Sequence, residues 1–141
     1  MLSEQQARFL AGRRVGHLAT ADARATPHLV PVCFVVSEGA LYITIDQKPK
    51  GDVRALKRLR NIIENPVAAF VADHWDEDWT RLGWIMLHGP AEILADSAEH
   101  DRAQALLRSR YPQYRGMELA DLPVIAIRIA RVSSWGDLSV E

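Results

Sequence analysis

The sequence predicts a mainly β domain with about three helices (α+β), built as a small closed or partly closed antiparallel barrel. Two observations predict it. Six β-rich runs are joined largely by short turns, which only antiparallel pairing allows. Only three segments carry helical periodicity. The chain of 141 residues, 48% apolar and 25% charged, suits one domain with a real core and argues against disorder.

Each element can be justified in order. Ser3 and Gln6 form a capping box and Gly12 a stop signal, enclosing a short helix with Phe9 and Leu10 on its apolar side. Val15 to Ala19 is an apolar run ending in the turn Thr20-Ala21-Asp22-Ala23. His28 to Val36 is a β run, and Pro31 inside it requires an edge or a bulge because proline cannot donate to a ladder. Glu38-Gly39 turns into Leu41 to Ile45, where Leu41, Ile43 and Ile45 share one face and Tyr42 and Thr44 the other.

A polar loop, DQKPKGD, leads into a helix from about Asp52 to Ile63. Asp52 is the expected N-cap, and Val53, Leu56, Leu59, Ile62 and Ile63 form its apolar stripe. Asn65-Pro66 ends it. Val67 to Ala72 is the next strand. Trp84 to Leu94 is a longer one, with Trp84 in the core and a bulge at Gly89-Pro90. Asp96 and Glu99 make a capping box for a helix reaching Arg110. Pro123 to Val132 is the last strand. No repeat or linker interrupts residues 1–141, so one domain is expected.

The charge balance excludes some functions. There are 17 basic and 18 acidic residues, a net charge of -1, which does not suit general nucleic-acid binding. A single cysteine, Cys33, permits no internal disulfide, and its apolar strand makes a buried, inert thiol the expectation. No Cys/His spacing suggests a metal site. Residues 1–14 lack the apolar core of a signal peptide, and no apolar run is long enough to span a bilayer, so a cytoplasmic protein without membrane contact is expected.

Two local features stand out. Lys48, Lys50, Arg54, Lys57, Arg58 and Arg60 face only Asp52, a net +5 over thirteen residues. Lysine points, arginine forks and the amides of a helix start suit phosphate, with a solvated helix face as the alternative. Trp75, Trp79 and Trp135 lie in or beside polar segments. Exposed indoles there suit a planar ring, with an oligomer interface as the alternative. No acid/base pair or nucleophile is evident, so a bound cofactor is expected to carry any chemistry.

The order of these pieces resembles a known family. VGHLATADARATPHLVPVCFVV, LYITIDQKPK, LKRLRNIIENPVAAFV and WDEDWTRLGWIMLHGPAEIL are similar to the motifs of the pyridoxamine 5′-phosphate oxidase-like, or flavin-reductase-like, split β-barrel superfamily. The similarity runs from about Val15 to Leu94. Within the superfamily the chain most resembles the small actinobacterial members that use the deazaflavin coenzyme F420 rather than FMN. Gln47-Lys48-Pro49-Lys50 stands where FMN-using oxidases carry an arginine- and serine-containing signature.

The resemblance implies a six-stranded antiparallel split barrel and a homodimer with two cofactor sites at its interface. It places the cofactor ring against His28, Val30, Pro31 and Val32 on one strand and Ile43, Thr44 and Ile45 on the next. It gives the phosphate to Lys48, Lys50, Arg54, Lys57, Arg58 and Asn61. Trp75, Trp79 and Trp135 of a partner chain would close the ring site. The implied activity is hydride transfer between reduced F420 and a small electron-poor organic substrate. Tyr42, His28 or water would supply any proton. An FMN- or heme-binding carrier, sensor or flavin oxidoreductase on the same fold is the alternative.

Overall fold

A computed structural model describes residues 1–46 and 56–140. Among these, three helices and eight strands form a split β-barrel of α+β class. The helices are α1 (Glu4–Ala11), α2 (Lys57–Glu64) and α3 (Ala98–Arg110). The strands are β1 (Gly16–Ala21), β2 (Pro27–Val32), β3 (Val35–Ser37), β4 (Ala40–Thr44), β5 (Val67–His74), β6 (Gly83–Leu94), β7 (Val124–Arg128) and β8 (Arg131–Gly136). Neighbouring strands follow the order β2-β1-β5-β6-β7-β4-β3, with β8 also on β6, and every pairing is antiparallel.

The strand count corrects the expected six, because two continuous β runs each turn a corner. The run 28–36 breaks at Cys33-Phe34. Phe34 turns fully inward and packs against Phe70, ring centroids 4.7 Å apart and the planes tilted by 59°. The chain thereby leaves one end of the sheet order, β2, and reappears at the other, β3. The run 123–132 breaks at Ile129-Ala130 and gives β7 and β8.

β6 joins the two halves. Its first six residues pair with β8 and its last four with β7, while β5 runs beside it from Gly83 to Pro90. The β5 register is continuous through Gly89-Pro90, so the expected bulge is absent. What occurs there is an exchange of partners. Gly89 makes the exchange possible: a Cβ on it would lie 1.6 Å from the Arg128 carbonyl oxygen. Pro31 sits on β2, an outer strand of the order, where a missing N–H costs no ladder bond.

Local chemistry shifts several boundaries. The Ser3–Gln6 capping box forms as expected. β1 continues to Ala21, and the turn after it is built by Asp22, whose Oδ1 accepts from the amides of Arg24 and Thr26. Glu38 and Gly39 both take positive φ, as a tight hairpin requires. α2 starts at Lys57 with Leu56 at its N-cap; the expected cap, Asp52, lies outside the described residues. Leu59 and Ile62 are buried but Ile63 is exposed, which narrows the expected stripe. The cap of α3 is Ser97, not Asp96: its hydroxyl accepts from the His100 amide, and Asp96 takes positive φ before it. Trp84 is half-buried on the outer face rather than in the core.

All five residues of β4 are buried, because α3 covers the face of Tyr42 and Thr44. Tyr42 donates to Glu99 at 2.6 Å, and Gln104 donates to the Thr44 hydroxyl at 2.9 Å. Glu99 is held in turn by Arg128, which also binds Glu92. This draws the Glu99 carboxyl down to a pKa of about 2, chiefly through the Arg128 hydrogen bonds and then that of Tyr42. α1 and α3 cap one another. Arg110 donates to the carbonyls of Leu10, Ala11 and Arg13 at the end of α1, and Arg14 donates to the Arg110 carbonyl at the end of α3.

The outer face of β2-β1-β5-β6-β8 is left open. Cross-strand register puts Pro31, His17, Val71, Met86 and Ser133 in one row and Leu29, Ala19, Ala69, His88 and Arg131 in the next. Leu29 is 68% exposed and Trp135 55%, so this face is apolar and accessible. Among the described residues no helix is long and apolar enough to cross a membrane.

Candidate functional site

A groove of about 190 Å³ opens where the ends of β2 and β4 meet α2. β2 contributes Pro31 and Val32, followed by Cys33; β4 contributes Ile43 and Thr44, and Asp46 follows it. Val15, Arg58 of α2 and Tyr114 complete the lining. Tyr114 lies in a 3₁₀ turn, Pro112–Gly116, just after α3. It is brought there by packing on Tyr111, ring centroids 5.6 Å apart.

The groove is apolar along the two strands and polar at one wall. The Tyr114 hydroxyl donates to Asp46 Oδ2 at 3.1 Å. Burial, and then the Asp46 charge, push the Tyr114 phenol well above its ordinary range, so it stays neutral at physiological pH. The Thr44 hydroxyl is already committed, accepting from Gln104 and donating to the Ile45 carbonyl. Arg58 is different. Its Nε is buried and has no partner among the described residues. A buried N–H of this kind carries a desolvation cost that an acceptor in the groove would remove.

Two other concavities are larger. One of about 330 Å³ lies between α1 and β3, but its Arg110 is committed to the backbone carbonyls of Phe34 and Leu10. One of about 400 Å³ lies on the outer sheet face beside His88, Pro66 and Pro90 and is mostly apolar. The second also carries a cation, Arg131, beside His88, whose Nδ1 has no partner among the described residues, but it lies on the open sheet face, whereas the smaller groove sits at the strand ends beside α2.

Of the residues expected at the site, the groove brings together Pro31, Val32, Ile43, Thr44 and Arg58. Ile45 is sealed in the core beside it. Val30 and His28 are half-buried further along β2. His28 stands opposite Thr20, whose hydroxyl accepts from the Asn61 amide at 3.1 Å. Asn61 is fully buried, and its Oδ1 and the His28 Nδ1 have no partner among the described residues. Lys57 lies 3.3 Å from Asp22. Lys48, Lys50 and Arg54 lie outside the described residues. Trp75, Trp79 and Trp135 are all more than half exposed and do not line the groove within one chain. Trp75 and Trp79 meet edge to face at 6.4 Å.

Two expectations change. Tyr42 is turned to Glu99 under α3, so the groove's hydroxyl is Tyr114 instead. Cys33 is half-buried on the groove rather than sealed in the core. Asp46 and Tyr114 were missed because nothing local marks them: Asp46 is an ordinary loop acid, and Tyr114 is 68 residues away. No group of His, Cys, Asp and Glu among the described residues is arranged to hold a metal.

The sequence from residue 3 to 134 matches the pyridoxamine 5′-phosphate oxidase family. The chain belongs to that family. It is therefore a member of an oxidoreductase family, on the split barrel expected for it. It is 30% identical over 137 residues to a 5a,11a-dehydrotetracycline/5a,11a-dehydrooxytetracycline reductase of Streptomyces rimosus, covering 95% of this chain and 82% of the reductase. Among solved structures, a heme-binding protein from Mycobacterium smegmatis superposes with a TM-score of 0.77 at 21% identity, over 96% of this chain and 55% of that one. An FAD-binding protein from Mesorhizobium loti gives 0.68 at 24% identity, over 94% of each chain. At such identities the structures share the fold with this chain and nothing finer.

Proposed function

We propose that the protein is an F420-dependent oxidoreductase that passes hydride from the reduced deazaflavin to an electron-poor double bond of a small organic substrate. The observation that carries this reading is the groove at the ends of β2 and β4, with Arg58, whose Nε has no partner among the described residues, at the head of a helix that follows a lysine-containing stretch. Its apolar strand wall suits a planar ring, and its cation suits an acceptor oxygen, so the residues present fit the cofactor. Similarity to a reductase named for a dehydro substrate supports the direction of transfer and a conjugated carbon–carbon double bond as the acceptor.

When bound, the deazaflavin supplies the hydride. The protein supplies place and electrostatics. Pro31, Val32 and Ile43 exclude water from one side of the ring. Arg58 and the other basic residues of 48–60 hold the cofactor's polar and acidic groups. Tyr114 stays a neutral hydroxyl throughout.

The reading includes a homodimer. A groove of about 190 Å³ is smaller than the roughly 300–1,000 Å³ of ordinary ligand pockets, so one chain offers part of a site. The open apolar face carrying Leu29 and Trp135 suits a second copy, which would also bring Trp75 and Trp79 toward the ring.

The test is a parallel titration of the cofactor-free protein with F420 and FMN, followed by cofactor fluorescence, with light scattering on the same sample. Micromolar or tighter F420 binding to a dimer, with weaker FMN binding, is the expected result. Preference for FMN would move the protein to the flavin-using side of its family. Binding of neither would end the cofactor reading.

A further inference from the structure

The polar wall of the groove has a pattern of its own. Arg58 lines it with a guanidinium whose buried Nε–H has no acceptor among the described residues. Asp46 presents a carboxylate that takes one hydrogen bond, from Tyr114, among the described residues. The Thr44 hydroxyl has no donor left, its hydrogen being held by the Ile45 carbonyl. Among the described residues the wall therefore carries a guanidinium donor and a carboxylate with acceptor capacity to spare.

That pair is a poor seat for a phosphate. A carboxylate in the same small groove repels a dianion while Arg58 attracts it. It is a good seat for a neutral group with its own donor and acceptor side by side. A ring lactam, in which N–H and C=O are neighbours on one edge, is such a group. The pyrimidinedione ring common to deazaflavins and flavins carries this edge.

We infer that Asp46 and Arg58 read the lactam edge of the cofactor ring, Asp46 accepting its N–H and Arg58 donating to the adjacent carbonyl. Tyr114 is a positioning residue that fixes the Asp46 carboxylate. The inference rests on the reading that this groove holds the cofactor, and it is indifferent to which of the two cofactors binds. It takes Arg58 away from the phosphate and leaves the acidic groups to the other basic residues of 48–60. Neutrality of the Tyr114 phenol keeps it a donor to Asp46 across the working pH range.

The experiment uses ring-only probes, lumiflavin and 3-methyllumiflavin, the second carrying a methyl on the lactam nitrogen. Both are titrated into the protein by fluorescence, beside F420 and FMN. Lumiflavin should bind about tenfold or more tightly than its methylated analogue, as expected for a hydrogen bond to a charged acceptor. Asp46→Ala should bring that ratio close to one, and Tyr114→Phe should narrow it. If Asp46→Ala does not fold, the wild-type ratio still decides. Equal wild-type affinities, a ratio unchanged in folded Asp46→Ala, or no lumiflavin binding would each overturn the inference. F420 or FMN binding without lactam selectivity would overturn it and leave the cofactor reading standing. Lactam selectivity without binding of either whole cofactor would overturn the inference together with the cofactor reading.

Discussion

Replacing Glu99 with glutamine tests the polar staple that ties α3 to the sheet. Glu99 accepts from Tyr42 at 2.6 Å and from both terminal nitrogens of Arg128. These partners lower its pKa from 4.5 to about 2. Each pKa unit corresponds to about 1.4 kcal/mol, so the upper bound is about 3 kcal/mol. The side chain keeps 25% exposure, and solvent screening reduces the figure to about 1–2 kcal/mol. In Glu99→Gln the amide NH₂ also meets the Arg128 guanidinium, donor against donor. Urea unfolding at pH 7 should therefore show a loss of about 1–2 kcal/mol, a fall in Tm of roughly 3–6 °C. The sign of the pH dependence follows from the lowered pKa. The stabilisation is complete well above the ordinary value of 4.5 and disappears as pH falls toward 2. The gap between wild type and variant should thus be constant from pH 7 to about 5.5 and close steadily below pH 4.5. A gap that is absent at pH 7, or equally wide at pH 3, would refute the argument.

Three further outcomes are expected. Gly89→Ala should cost about 3 kcal/mol or prevent folding, since its Cβ meets the backbone of Arg128 and Ala130 and not a movable side chain; denaturant melts or soluble yield will show it. Arg58→Gln should weaken F420 binding about tenfold or more while leaving the melting temperature within about 2 °C of wild type, because Arg58 makes no ion pair among the described residues; wild-type affinity would remove Arg58 from the site. Leu29→Asp places a charge on the open sheet face, where the side chain is 68% exposed in one chain. It should leave the fold intact and shift light scattering from dimer to monomer, whereas an unchanged mass would move the interface elsewhere.

Much of the fold is legible where the period is strict. The stretch 84–94 marks β6 because one face meets the core at every second residue, and 41–45 marks β4 by its apolar alternation although α3 buries its second face as well. Ser3 and Gln6 mark α1 because capping is local chemistry. The misplacements are tertiary. Nothing within His28 to Val36 says that the chain must cross the barrel at Phe34, since the reason is Phe70, far along the sequence. Glu99 reads as a capping partner until Arg128 claims it from β7. The strand side of the groove, Pro31, Val32, Ile43 and Thr44, came through the family resemblance. The polar wall is formed by Asp46 and Tyr114, and only folding makes them neighbours.

The mutual capping of α1 and α3 binds the two ends of the domain into one cooperative unit. Arg14 and Arg110 lie 96 residues apart, yet each closes the helix that precedes the other. Fraying of the first helix strips Arg110 of its carbonyl acceptors, and fraying of the third removes the acceptor of Arg14. Amide hydrogens at the two helix ends should therefore exchange together, at one free energy of opening. During synthesis this closure must wait for residue 110, so the amino-terminal helix is secured only after most of the barrel has been made.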